Sequence, residues 1–98
     1  MRDAQSLLLR ALRGGGAALP DLRTAHSEAW ASATFVGARH RFAFAPTEPD
    51  RADALSEAIG SVEFTLPGHL VADIIVRSRS VSREGVALTI EALTVEDS

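Results

Sequence analysis

The sequence predicts an α+β domain, with two helices on one face of an antiparallel sheet of about five strands. Two observations carry this. Apolar and polar residues alternate strictly over two long stretches, near residues 30–44 and 70–96, and glycine-containing turns interrupt them. Two further segments show helical periodicity with capping residues at their starts. Taken along the chain, the order is α-β-β-α-β-β-β.

The first helix spans Asp3 to Arg13. Asp3 caps it, while Ala4, Leu8, Ala11 and Leu12 form the apolar stripe. Gly14 closes it, and Arg10 and Arg13 sit where the helix dipole favours cations. Residues 14–27 hold three glycines and Pro20 and read as a connector, with room for a short strand near Ala18–Arg23.

Trp30 to Phe44 reads as a hairpin turning at Gly37-Ala38, since glycine at the first central position suits a type II′ turn. That turn pairs Val36 with Arg39, Phe35 with His40 and Ala33 with Phe42. Ala31, Ala33, Phe35, His40, Phe42 and Phe44 then share the core face. Trp30, Ser32, Thr34, Val36, Arg39 and Arg41 share the opposite one.

A second helix follows Pro46, with Thr47 and Asp50 spaced as a capping box. Ala52, Leu55, Ala58 and Ile59 face inward, and Gly60 lies past the end. Ser61–Leu66 reads as a strand and Pro67-Gly68 as a turn. Leu70–Val81 is a long strand with Leu70, Ala72, Ile74 and Val76 inward and a polar, overhanging far half. A three-residue loop at Arg83-Glu84-Gly85 leads into Val86–Glu96. There a bulge near Ala92-Leu93 brings Leu93 and Val95 back to the core and sets Glu91 opposite Arg77.

Ninety-eight residues make one domain, 1–98. With no cysteine, disulfides, thiolate metal sites and thiol catalysis are excluded, which suits a reducing, cytoplasmic setting. The amino terminus does not read as a signal peptide, and no span approaches twenty apolar residues, so no membrane partner is expected. The net charge of −3 disfavours sequence-independent nucleic-acid binding. Charge is nonetheless uneven. Residues 1–45 set six arginines against three acids, and residues 46–98 set four against ten.

The sheet face without helices is expected to present Trp30, Thr34, Arg39 and Arg41 from the first hairpin. Ile75, Arg77 and Arg79 come from the second. A half-apolar, arginine-rich face with the only tryptophan has interface composition. It points to a non-catalytic module that self-associates. The alternative is a small-molecule or anion-binding domain, or a small enzyme, using Arg39, His40 and Arg41 with His26.

No catalytic set is legible. His26, His40 and His69 are too scattered for a metal, so no metal or cofactor is expected. His26-Ser27-Glu28 matches the H-x-E of zinc deaminases without their cysteines. Gly14-Gly15-Gly16 follows a helix where a phosphate loop would follow a strand, and the serines lack a nucleophile elbow.

RADALSEAI (51–59), EFTLPGHLVADIIVRSRSVSREGVALTIEALTVED (63–97) and ATFVGARHRFAFA (33–45) together resemble the small tail-completion, or tail-terminator-like, proteins of bacteriophages and gene transfer agents. In that family an alanine-rich helix precedes a strand, a glycine turn and a long hairpin ending near an acidic tail. The resemblance covers roughly residues 31–97 and is one of pattern, with no diagnostic motif. It implies homo-oligomerisation, contact with phage tail-type structural proteins, and residence in a virion-like particle.

Overall fold

A computed structural model describes residues 3–14, 19–61 and 64–97. The elements are α1 (Ala4–Gly14), β1 (Leu22–Ala31), β2 (Val36–Phe44), α2 (Pro49–Ser61), β3 (His69–Ser82) and β4 (Gly85–Glu96). They form an α+β domain whose antiparallel sheet has, among the described residues, four strands in the order β1-β2-β4-β3, against the five expected. Ser61 belongs to α2, and Leu66 makes only an isolated bridge to His69; Val62 and Glu63 lie outside the described residues. The order is thus helix–strand–strand twice over, with the two inner strands paired at the centre.

Both helices dock on one face. Leu7, Leu8 and Leu12 of α1 join Ala52, Leu55 and Ile59 of α2 over Phe42, Phe44, Leu88 and Ile90 in one core cluster. Asp3 caps α1 as expected, its Oδ1 accepting from the Ser6 N–H at 2.8 Å. At α2 the expectation changes. Thr47 does not cap the helix; its backbone exchanges two hydrogen bonds with Val86, and the first helical residue is Pro49.

The first hairpin turns four residues earlier in the chain than its glycine suggests. Ala31 pairs with Val36 and Trp30 with Gly37, so β1 begins within the segment that reads as a connector. Ser32 builds the turn. Its backbone N–H donates to Phe35 O at 2.7 Å, and its Oγ accepts from Phe35 N–H at 3.0 Å. Phe35 therefore sits in the turn, 56% exposed, and is not a core residue; Ala31 and Ala33 are exposed as well. Gly37 serves a different need. A Cβ there would overlap the Thr94 carbonyl and come within 3.0 Å of the Trp30 ring, so glycine permits close approach inside a strand.

β4 runs without the expected bulge. Val86, Leu88, Ile90, Ala92 and Thr94 are all buried, so Leu93 and Val95 lie on the helix-free side. The irregularities fall in β3, between Val71 and Asp73 and between Val76 and Ser78. The first turns Leu70 outward at 57% exposure while Val71 packs on the core. The β3–β4 loop is shorter than expected, two residues between the paired Ser82 and Gly85. Gly85 does take a positive φ of 125°, against the Thr47 backbone. At about 3.3 Å per residue, the 14-residue β3 spans close to the 46 Å long axis of the molecule. Among the described residues no helix is long and apolar enough to cross a membrane.

Candidate functional site

Alternation along β2 sorts the candidate residues. Gly37, Arg39 and Arg41 point away from the helices, while Ala38, His40 and Phe42 point toward them. Register then fixes the neighbours. On β1, Trp30 stands beside Gly37, Glu28 beside Arg39 and His26 beside Arg41. On β4, Val95, Leu93 and Glu91 stand beside the same three, and β3 adds Asp73 and Ile75. Of the expected interface residues, Trp30, Arg39, Arg41, Ile75 and Arg77 share this helix-free face.

Two do not. Thr34 lies in the turn, beyond the sheet. Arg79 is on the helix side, because the second irregularity of β3 changes its phase, and its Nη1 donates to Asp53 Oδ1 of α2 at 2.8 Å. The alternative set is also divided. His40 is buried under the helices while Arg39, Arg41 and His26 lie across the sheet, so the four do not converge.

Glu91 organises the helix-free face. Arg41 donates to its Oε2 at 3.1 Å and Arg77 at 2.9 Å, and Arg39 stands 3.9 Å from Oε1. The Arg41 hydrogen bond first, then the charges of Arg77, Arg41 and Arg39, hold its carboxyl below the ordinary range. Trp30 packs over Gly37, and its Nε1 is buried with no acceptor among the described residues.

A concavity lies on the helix side, between the start of α1 and one end of the sheet. It is a hollow of about 350 Å³ whose polar lining comes from Asp3, Gln5, Ser27, His40, His69, Thr94 and Glu96. Across its floor runs one chain of hydrogen bonds. Gln5 Nε2 donates to Ser27 Oγ at 2.9 Å, and Ser27 Oγ lies 2.7 Å from His40 Nδ1. His40 Nε2 lies 2.9 Å from Thr94 Oγ1, which donates to Ala38 O at 3.3 Å. Both ring nitrogens of His40 are thus engaged, one as donor and one as acceptor, with the tautomer setting which. Burial pushes the His40 pKa below its ordinary value, against the opposing charge of Asp3.

The sequence places His40 on the core face, where it is found; Ser27 falls in the unread connector, and Thr94 is hidden by the supposed bulge. The signal was the unbroken alternation from Val86 to Thr94, which needs no correction to stay in phase. No group of His, Asp and Glu among the described residues is arranged to hold a metal ion. No protein-family model matches the chain, nor does any curated protein or solved structure.

Proposed function

We propose that the chain is a non-catalytic assembly module that self-associates through the helix-free face of its sheet, as a subunit of the tail-completion kind. The observation that carries this is the make-up of that face. Trp30, Ile75, Leu93 and Val95 lie among three arginines, Arg39, Arg41 and Arg77, and three acids, Glu28, Asp73 and Glu91. Such a face has no net charge although the chain carries −3, so a second copy meets it without net repulsion. The three arginines are 49–59% exposed, and each guanidinium has more N–H donors than Glu91 can accept. Asp73 and Glu28 of a facing copy supply acceptors of the right sign. Trp and Arg are the residues that most often dominate the energy of such contacts.

Two substitutions test this. Trp30→Ala removes the largest apolar contact, and Arg41→Glu sets a fourth acid beside Glu91 in place of a hydrogen bond. Both should lower the assembled fraction in size exclusion with light scattering while the circular dichroism spectrum is kept. Assembly undiminished in both variants removes the helix-free face from consideration.

A further inference from the structure

We propose that the hollow at the amino end of α1 binds the ammonium group of a small organic amine. The hydrogen-bonding valences left free in the hollow set what it can hold. Ser27 and Thr94 are both taken up within the chain that runs from Gln5 to Ala38. Gln5 Oε1 has no partner among the described residues. The Asp3 carboxylate accepts from Ser6 and keeps lone pairs beyond that contact, and the carboxylate of Glu96 makes no ion pair among the described residues. The free valences are thus acceptors in the main, two of them on carboxylates, and no arginine is among the described lining residues. The remaining donors are the second amide proton of Gln5 and the ring of His69.

An alkylammonium brings three donors and one positive charge to such a wall of acceptors. The methyl groups of Ala4, Ala29 and Ala38 accommodate its short apolar body. About 350 Å³ lies at the small end of ligand-binding cavities, which fits a molecule of a few carbons. The start of a helix ordinarily favours an anion, but here Asp3 already supplies one. The site is independent of the self-association proposed above, since it lies on the opposite side of the sheet.

The test is a titration of the full chain, followed by amide resonances, with butylammonium, butanol and butyrate as probes of equal length. Butylammonium should give saturable shifts at Ser27, His40 and Glu96, and the other two should not. Glu96→Gln, at an exposed position, should weaken it roughly two- to fivefold, the range of an exposed ion pair. Butyrate shifting the same amides at equal or lower concentration would overturn the proposal in favour of an anion. Butanol binding as tightly as butylammonium, no saturable shift with any probe, or an unweakened Glu96→Gln variant would each overturn it as well.

Discussion

Thr94→Val probes the buried polar chain with the least change of shape. Thr94 and His40 are each 1% exposed, so water cannot replace a lost partner. With the hydroxyl gone, His40 Nε2 has no partner, whether the tautomer makes it a donor or an acceptor. One ring nitrogen is orphaned in either case, at a cost of about 1–3 kcal/mol. The extra methyl offsets a part of this, on the order of 0.8 kcal/mol. His40→Leu removes the ring and with it the need for the hydroxyl, so the double variant should cost less than the two single changes added together. The coupling energy should lie within the roughly 0.5–3 kcal/mol seen for residues in contact. Urea unfolding followed by the fluorescence of Trp30, the only tryptophan, measures all four proteins. It must be done at one protein concentration, because self-association adds to apparent stability. A Thr94→Val variant within about 0.5 kcal/mol of the parent, combined with strict additivity, would refute the hydrogen-bond assignment.

Two further outcomes follow from the same geometry. Gly37→Ala should destabilise by about 1–3 kcal/mol in the same unfolding assay, because its Cβ overlaps a backbone carbonyl that cannot rotate away, and a neutral result would mean that β2 and β4 lie further apart. Stability should also depend on pH through His40. Its folded pKa is depressed, so its contribution is complete above the unfolded value of about 6.5 and is lost as pH falls toward the lower folded value. Asp3 and Glu91 are depressed too, and they add a separate loss at more acid pH. His40→Leu should abolish the first decline and leave the second; an unchanged decline below pH 6.5 would assign it to other groups.

Much of the fold was legible because side-chain period and burial agree. Leu8, Leu12, Phe42, Phe44 and Leu55 all read as core from spacing alone, and all are buried. The departures at the first hairpin share one cause. A glycine and a serine near the first hairpin each admit two roles, and local chemistry does not choose between them. Gly37 is compatible with a turn, and only the packing of Trp30 and Thr94 against it reveals a close-approach glycine. Ser32 carries the turn through its own side chain, which its position in an alternating run conceals. The bulge was placed in the wrong strand for a related reason. Leu93 and Val95 look as though they belong inside, yet they are apolar residues on the helix-free face. The Trp30–Arg39–Arg41 grouping survived the register error because those residues keep their parity under the corrected pairing. The hollow was not legible, because Gln5, Ser27, His40 and Thr94 come from four different elements.

The most direct measurement is the molar mass of the unmodified chain by sedimentation equilibrium at micromolar concentration, with Trp30→Ala run beside it. If two helix-free faces meet, the parent has at least twice the 10.4 kDa of one chain and the variant shifts toward a single chain. A parent that stays at 10.4 kDa as the concentration is raised contradicts self-association through that face.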